Sequence, residues 1–556
     1  MKKLITSAAL AVLLLTGCGG ANNNTPANSQ QATETTQTEQ TQKKESTDKT
    51  TEPATTDVAT DANTDDETPF VASYLTDFAN IAPLGDVSAE TKAVLRNMNE
   101  GLYYYTPDGD IHEGIAEKID ITTDDDYVIF DIKIREGLKF HDGSDLTTED
   151  VKYSFERLAG LVDGITADDV TGSGYFPELL NSEEEEYKKG KIEIADDYNM
   201  TVYFSNKFGV LTTQYSVADA LLVPSDYPED EQKTNPVGIG PYKFVAYNPG
   251  TSIEFTRFDD YYGDKPQVKN IKFLKFADAT AIPLAFDSGE IDMMTLSDEN
   301  YETYANQGLY VFDGLSNDVR TVFLNMRDGR LFENKDLRYA INYAIDKEKM
   351  NQTLTNGRGK VLYTHFTPVL EKYYNTEVEG AFGYDPEKAK EHLKKAGYPD
   401  GLDVTLYTVA EATVDQDMAA LMVEDLQAVG INVTHEPLPW NTYYEQVYST
   451  ADFDMELINI VGYPDPSRVL SRYASDSSTG PGLENPEYDE LLERARQSAD
   501  EAEVIECYKK MQQILVDEAP CIFTVDPGVS VVLSEKYQGY EAFPFAFTNL
   551  ATVEYK

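Results

Sequence analysis

Residues that could carry out catalysis or hold a metal are few in this sequence, and they stand apart from one another. Cys521 has no histidine near it and lies in an apolar stretch, so a buried and inert thiol is expected. Gly238 and Gly240 lack the third glycine and the strand-to-helix context of a dinucleotide-binding loop. The five histidines, no two of them at metal-ligand spacing, are His112, His141, His365, His392 and His435. We therefore expect no catalytic residue, no metal and no cofactor. An enzyme is not favoured because no nucleophile–base pair can be named.

The net charge of the chain limits its partners. Asp and Glu total 98 against 46 Lys and Arg, which gives a formal charge of −52 at pH 7. Such a protein repels phosphate backbones and anionic lipid surfaces, so neither nucleic acid nor a membrane surface is expected as a partner. Three cysteines are too few for a disulfide scaffold. With 41% hydrophobic residues, the chain can bury the cores of several domains.

The beginning of the chain has the pattern of a targeting signal. Two lysines precede the apolar residues 4–15, a run too short to span about 30 Å of hydrocarbon as a helix. The run ends in Leu-Thr-Gly-Cys18, which resembles the lipobox of bacterial lipoproteins. The resemblance implies that residues 1–17 are a signal peptide and that the Cys18 thiol carries a diacylglycerol anchor. The alternative is an ordinary secretory signal with an incidental cysteine.

Residues 18–69 are predicted to form a disordered tether. The segment is mostly Thr, Gln, Asn, Ala, Asp and Glu, has no aromatic residue before Phe70, and contains Val58 as its one large aliphatic side chain. As a flexible coil it reaches on the order of 40 Å. We expect the folded body to be held at the outer face of the cytoplasmic membrane through the lipid anchor alone.

Residues 70–556 are predicted to form a mixed α and β body. Hydrophobic residues alternate with polar ones over 128–134, which indicates a strand. Asp385 followed by Pro386 and later by Gly397 predicts a helix with an aspartate N-cap, a proline in its first turn and a glycine stop. Asn485 before Pro486 predicts another helix. No repeat of 20–50 residues is present, so a solenoid or propeller is not expected.

Several motifs in collinear order resemble those of family 5 solute-binding proteins, the oligopeptide-, dipeptide- and nickel-type binding proteins of ABC importers. They lie at residues 130–143, 146–155, 236–242, 261–266, 288–292, 338–346, 385–397 and 462–466. The resemblance implies an α/β, two-lobed, hinged fold like that of periplasmic binding proteins, with an extra subdomain in the first lobe. It also implies that a peptide or other small solute is captured between closing lobes by a monomer. The solute then passes to an ABC permease that is driven by separate ATPase subunits.

The same resemblance implies where the lobes begin and end. The first lobe is expected to be discontinuous, built from residues 70–235, 236–318 and 529–556, with 108–235 as its extra subdomain. Residues 319–528 are expected to form the second lobe.

The resemblance further implies a set of ligand-binding residues in the second lobe. In peptide-binding relatives an extended ligand lies beside a strand, here residues 454–461, and backbone groups at Ile458 and Ile460 are expected to bond it. Trp440 aligns with an aromatic residue that lines the cleft, although packing in a core is an alternative for it. The predicted set comprises Trp440, Ile458, Asn459, Ile460, Gly462, Tyr463 and Asp465.

Two positions depart from the pattern of the peptide-binding relatives. Gly462 stands where they have the aspartate that pairs with the α-ammonium of the ligand, and Asn459 replaces a tryptophan. Either another acid, such as Asp465 or Glu456, meets the amine, or the ligand is not a peptide with a free amino terminus. Asp465 before a proline could also serve only its local turn. A surface adhesin that transports nothing is the remaining alternative.

Overall fold

A computed structural model describes residues 67–75, 78, 81, 82, 84, 89–165, 169, 170, 175–181, 187–462, 465–543, 545 and 547–556. Contacts divide the chain into Met1–Thr60 and Asp61–Lys556, and all described residues belong to the second unit. The predicted signal peptide, Cys18, nearly all of the tether and Tyr463 lie outside the described residues.

The described body contains strands and helices in alternation along most of its length. The strands are β1 (Phe70–Tyr74), β2 (Tyr103–Tyr105), β3 (Ile111–Glu113), β4 (Ala116–Thr123), β5 (Tyr127–Ile134), β6 (Lys191–Asp196), β7 (Asn199–Ser205), β8 (Tyr242–Asn248), β9 (Ser252–Arg257), β10 (Asn270–Lys275), β11 (Met293–Thr295), β12 (Tyr310–Gly314), β13 (Asp318–Leu324), β14 (Lys360–Val361), β15 (Leu402–Val409), β16 (Ile431–Leu438), β17 (Met455–Val461), β18 (Cys521–Phe523), β19 (Val525–Asp526), β20 (Val529–Leu533), β21 (Tyr537–Gln538) and β22 (Glu554–Tyr555).

The helices are α1 (Ala89–Leu95), α2 (Thr148–Leu158), α3 (Phe176–Asn181), α4 (Gly209–Asp219), α5 (Glu229–Gln232), α6 (Ile282–Asp287), α7 (Tyr301–Ala305), α8 (Lys335–Ala344), α9 (Lys347–Thr355), α10 (Pro386–Lys395), α11 (Thr413–Ala428), α12 (Trp440–Tyr443), α13 (Pro466–Leu470), α14 (Pro486–Gln497) and α15 (Glu501–Glu518). A π-helical turn, Tyr444–Tyr448, continues α12.

The sequence patterns for local structure are confirmed where they can be compared. The alternating segment forms β5, whose side chains at Val128, Phe130, Ile132 and Ile134 are buried. Asp385 caps α10 by accepting the Lys388 N–H at 3.0 Å. Helix α10 therefore begins where a side-chain oxygen can satisfy a first-turn N–H group.

Four larger sheets organise the body. Two have four strands, in the orders β1-β10-β9-β8 and β4-β5-β7-β6, and a third has the order β11-β20-β12. The fourth has five strands in the order β16-β15-β17-β13-β18. Every strand of the five-stranded sheet comes from residues 318–523, whereas the other three sheets draw on residues 70–314 and 529–533.

Helices cover both faces of the five-stranded sheet because its strands carry apolar side chains on both sides. Ile458 and Ile460 of β17 pack with residues of α14 and α15, and Met455 and Leu457 pack with residues of α8 and α11. A strand that is apolar on both faces is typical of a sheet buried between two helical layers. This sheet therefore sits in the middle of a three-layer arrangement.

Candidate functional site

Three parallel strands of the five-stranded sheet end at one edge, here called the carboxyl edge. β15 pairs in parallel with β16 and with β17, so Val409, Leu438 and Val461 all lie at this edge. In open α/β sheets, ligands bind outside the carboxyl ends of parallel strands. Trp440 follows β16, and Gly462 and Asp465 follow β17, so the topology brings these predicted residues to the same edge.

Trp440 begins α12 at the carboxyl edge, and its side chain remains 48% exposed. The indole stacks against Tyr443 and lies against Tyr444, with ring centroids 6.1 and 5.9 Å away. The backbone N–H of Trp440 donates to Glu411. With half its surface open, Trp440 is not a core residue, so the packing alternative is excluded and its contact with ligand stays a prediction.

The register of β13 determines which way the backbone of β17 points. The Arg320 carbonyl accepts from the Thr524 N–H at 3.2 Å, and the Leu324 N–H donates to Pro520 at 3.0 Å. The backbone groups of the even-numbered residues of β13 thus form hydrogen bonds with β18. Along a strand, the backbone groups of successive residues point to opposite sides. The odd-numbered residues of β13 therefore form their hydrogen bonds with β17.

Because of this register, the backbone groups of Ile458 and Ile460 point at β13. Ile460 lies opposite Val319 and Ile458 opposite Thr321, both odd-numbered positions. From the resemblance, the backbone groups of these two residues were expected to bond a ligand. In the structure they face β13 instead, because they already form the hydrogen bonds between the two strands. Any contact of the two side chains with a ligand stays a prediction.

The backbone groups of Asn459 and Val461 point to the opposite side of β17, away from β13. On that side β17 pairs with β15 only at Met455 and Glu456, and no other described strand pairs with it there. The side chain of Asn459 donates weakly to Asp318 at 3.4 Å, and its Oδ1 is buried without a partner. β17 therefore has an edge at which a further strand could pair.

Gly462 is buried against Asn317, which explains the absence of a side chain there. A Cβ atom on Gly462 would lie 2.1 Å from the Asn317 Nδ2 and 2.3 Å from its backbone oxygen. Asn317 is itself 3% exposed and adopts a left-handed backbone with φ of 56°. The close approach of Asn317, and not a special backbone angle of its own, requires glycine at 462.

Asp465 is a buried carboxylate with one oxygen in use and one without a partner. Its Oδ1 accepts the backbone N–H of Ser467 at 2.9 Å and the Ser467 hydroxyl at 2.7 Å, so it caps α13. Its Oδ2 is buried and has no hydrogen-bond partner, and the residue is 3% exposed. Burial raises the pKa of Asp465, against hydrogen bonds from Ser467 and Thr212 and the charge of Arg468.

Glu456, the second acid considered as a partner for a ligand amine, lies inside the sheet core. Its Oε2 accepts from the Tyr443 hydroxyl at 3.1 Å, while its Oε1 is buried and unpartnered. Burial raises the pKa of Glu456 to about 8, although the Tyr443 hydrogen bond and the charges of Arg327 and Arg472 act in the opposite direction. At neutral pH this carboxyl group is therefore mostly protonated.

Helix α4 contacts α13 and α14, which lie beside the five-stranded sheet, and the sequence contained no sign of this contact. The Thr212 hydroxyl lies 2.6 Å from the Ser467 hydroxyl. Gly209 at the start of α4 approaches the backbone of Arg496 so closely that a Cβ would lie 1.7 Å from its carbonyl oxygen. Close by, Lys372 pairs with Asp110 at 2.6 Å. Helix α4 is thus in contact with α13 and α14 close to Asp465.

A small cavity lies next to Gly462, between the five-stranded sheet and α13. Its lining includes Asn317, His365, Ile460 and Pro466, and it has room for about one water molecule.

Two chain segments join the five-stranded sheet to the three-stranded sheet. One runs from β12 to β13 and the other from β18 through β19 to β20. The buried carboxylate of Asp526 links them: it accepts the backbone N–H groups of Ser316 (3.2 Å), Asn317 (2.9 Å) and Gly528 (2.9 Å). Burial raises the pKa of Asp526, and these hydrogen bonds oppose the shift. The Asp-Pro-Gly turn at 526–528 was a sequence signal for this position that motif reasoning overlooked.

Two features are absent from the part of the chain that the structure describes. No helix there is both long and apolar enough to cross a membrane. No group of three or more His, Cys, Asp or Glu side chains there could hold a metal ion.

Comparisons with known proteins point to one family. Residues 110–481 match the family model described as "Bacterial extracellular solute-binding proteins, family 5 Middle". The oligopeptide-binding protein AppA of Bacillus subtilis is 26% identical over 444 residues, which cover 75% of this chain and 78% of AppA. Heme-binding protein A of Haemophilus influenzae is 25% identical over 476 residues, covering 79% and 83% of the two chains.

A solved structure has the same fold. The ABC transporter substrate-binding protein CtaP of Listeria monocytogenes superposes with a TM-score of 0.74 at 21% identity, covering 88% of this chain and 99% of that one. The fold of the chain is accordingly that of two-lobed binding proteins. From the family match, the chain belongs to the family 5 bacterial extracellular solute-binding proteins.

Proposed function

We propose that this protein is a membrane-tethered lipoprotein that captures an oligopeptide between two closing lobes and delivers it to an ABC permease with separate ATPase subunits. The observation that carries the proposal is the carboxyl edge of the five-stranded sheet, which lies against α4 with a buried, half-satisfied carboxylate at Asp465. The name of the AppA relative supports a peptide as the solute.

The proposed lobes are residues 70–235, 236–318 and 529–556 for the first and 319–528 for the second, with 108–235 as the extra subdomain. The distribution of strands among the sheets supports this division, because the five-stranded sheet takes strands only from 318–523. The two connecting segments held by Asp526 would then be the hinge. A ligand that bridges both lobes favours the closed state by its differential affinity.

We further propose that the peptide pairs with the open edge of β17. Asn459 and Val461 direct their backbone groups to that side, beyond the point where β15 stops pairing. Strand addition satisfies the ligand through its main chain and so tolerates different side chains. Trp440 would flank the peptide from the end of β16.

The experiment is native mass spectrometry of protein purified from its own organism without denaturation. We expect peptides to be released from the protein. After unfolding and refolding to remove them, the same peptides should raise the unfolding temperature, since a ligand that binds only the native state stabilises it by mass action. A folded protein that carries no solute and is not stabilised by any member of a peptide library would contradict the proposal and favour an adhesin.

A non-peptide solute is the second candidate, and one observation favours it. Gly462 has no carboxylate for a ligand amine, and Asn317 leaves no room for one there. One relative is named heme-binding protein A, so not every relative is named for a peptide ligand. Release of a non-peptide compound in the same mass-spectrometry experiment would decide for this candidate.

A further inference from the structure

We propose that the ion pair between Lys372 and Asp110 is a latch that biases the solute-free protein toward its closed arrangement, in which the two proposed lobes touch. The inference rests on the lobes and hinge of the proposed function, and it goes beyond solute capture because the latch acts before any solute is bound. Asp110 belongs to the extra subdomain of the first lobe and Lys372 to the second lobe. Their charged groups lie 2.6 Å apart, and about a third of each side chain is exposed.

The backbone of Lys372 is fixed to the rest of the second lobe. The neighbouring Tyr373 is buried, and its carbonyl accepts from the Gln512 side chain of α15 at 2.8 Å. The backbone N–H of Asn375 donates to the same Gln512 side chain at 2.9 Å. The segment that carries Lys372 therefore moves with α15 and cannot follow Asp110 when the lobes move apart.

Asp110 is fixed to the first lobe in a similar way. It ends a turn in which its carbonyl accepts the Thr106 N–H at 2.9 Å, and Gly109 in this turn has a φ of 82°. The Gly109 carbonyl accepts from the Tyr215 hydroxyl of α4 at 3.3 Å, so the turn and the helix move together. Because both partners stand on fixed segments, forming the ion pair orders less of the chain than pairing two residues on flexible loops would.

The ion pair lies where α4 meets the helices beside the carboxyl edge. Tyr215 of α4 interacts electrostatically with both members of the pair and also with Asp465. Thr212, one turn earlier in α4, lies 2.6 Å from Ser467 of α13. A solute that enters between these regions has to separate them first, and the contact between Lys372 and Asp110 breaks with that separation.

Lys372 has a second acidic partner, Glu501, which lies in its own lobe at 2.8 Å. Burial acts to lower the pKa of Lys372, but the hydrogen bonds to Asp110 and Glu501 outweigh burial and raise it. The ammonium group is therefore charged at neutral pH. When the lobes separate, Lys372 keeps Glu501 and loses Asp110, so the attraction to Asp110 stabilises the closed arrangement alone.

A second ion pair between the proposed lobes lies beside the hinge. Arg358 of the second lobe pairs with Asp298 of the first, and Arg358 also lines a groove together with both connecting segments. Groups beside a rotation axis are displaced least when two bodies turn about it, so this pair should persist in the open arrangement. Lys372 and Asp110 do not line this groove, and their contact is the one that should depend on closure.

The test is small-angle X-ray scattering of the refolded, solute-free full chain, with each curve fitted as a mixture of the closed arrangement and an opened one. We expect Asp110→Asn to lower the ratio of closed to open protein about three- to fivefold, near the upper end of what exposed ion pairs contribute. Lys372→Met should open the protein to a similar extent. The double variant should be no more open than either single variant, because both substitutions remove the same interaction.

Glu501→Gln is the matched control. Like Asp110→Asn, it removes one negative charge and one partner of Lys372, but this partner belongs to the same lobe. The ratio of closed to open protein should stay within about twofold of the wild type. The difference between the wild type and Asp110→Asn should shrink when salt is raised to about 1 M, since screening weakens a partly exposed ion pair.

The latch is refuted if Asp110→Asn scatters as the wild type does, if Glu501→Gln opens the protein as much, or if high salt leaves the difference unchanged. Scattering from a single rigid arrangement in every variant would refute the closing lobes of the proposed function and the latch with them. No solute is present in these measurements, so a failure of the protein to bind peptides would leave the latch standing.

Discussion

At the scale of single residues, Gly462 and Asn317 make a close contact at the carboxyl edge. Asn317 holds a left-handed backbone conformation, and its N–H is fixed by Asp526 at 2.9 Å. It therefore has little freedom to move away from a larger neighbour. A side chain at 462 has to displace the segment between β12 and β13.

Gly462→Ala should therefore be destabilising. We expect a loss of about 1–3 kcal/mol, the range typical of overpacking in a close-packed region, measured by denaturant unfolding. Gly383→Ala is the control, because its nearest neighbour would be 3.9 Å from the new Cβ, and it should change stability by less than about 0.5 kcal/mol. Equal losses of stability in the two variants would mean that Asn317 moves away from the new side chain at little cost.

Glu456 should make the stability of the protein depend on pH. Its folded-state pKa of about 8 lies above the ordinary value of 4.5, so between these values the folded protein binds a proton that the unfolded chain has released. Stability should thus fall as pH rises from about 5 to 8, by at most about 1.4 kcal/mol per pH unit for this group. Unfolding curves of the wild type and Glu456→Gln across this range should converge or cross. Parallel curves would show that Glu456 is ionised throughout.

At the scale of elements, β17 shows what the sequence could and could not predict. The alternating pattern of β5 and the caps of α10 and α14 follow from residue types at short spacing, and the structure confirms them. The strand at 454–461 was expected from the family resemblance, and it is present as β17. The direction of the Ile458 backbone depends on pairing with β13, more than a hundred residues away in sequence, so no local pattern could reveal it. The contact of α4 with Ser467 is likewise a tertiary contact that no sequence motif indicates.

The open edge of β17 can be tested with proline. Asn459→Pro removes an N–H that points away from β13, so peptide affinity should fall by at least tenfold while most stability is kept. Asn459→Ala, which loses the side chain but keeps the N–H, should bind peptides nearly as the wild type does. Ile460→Pro removes an N–H that faces β13 and should destabilise the fold much more. Equal destabilisation by the two prolines would contradict the register.

At the scale of the whole molecule, the proposed tether and anchor set where the binding body works. Cys18 follows a short apolar run, and the body carries a large excess of acidic residues. Two acyl chains give stable anchoring, whereas a surface of this charge has no affinity for anionic lipid. A body held by a flexible segment stays near the membrane without adhering to it.

Cys18→Ser should release the protein into the medium or the periplasm. Fractionation of cells that express the wild type and the variant measures this directly, and the intact mass of the membrane-extracted wild type should include a diacylglyceryl adduct. Retention of the variant on the membrane to the same extent as the wild type would place the anchor elsewhere.

The strand order β11-β20-β12 has a consequence for the time at which the protein can fold. β20 is the middle strand of its sheet, yet it lies at Val529–Leu533, while its two neighbours end at Thr295 and Gly314. β11 and β12 do not pair with each other, so this sheet cannot form until almost the entire chain has been synthesised and exported. The five-stranded sheet needs nothing beyond Phe523 and can assemble first. In a chain emerging from the secretion machinery, the five-stranded sheet could therefore fold while the three-stranded sheet still lacks β20.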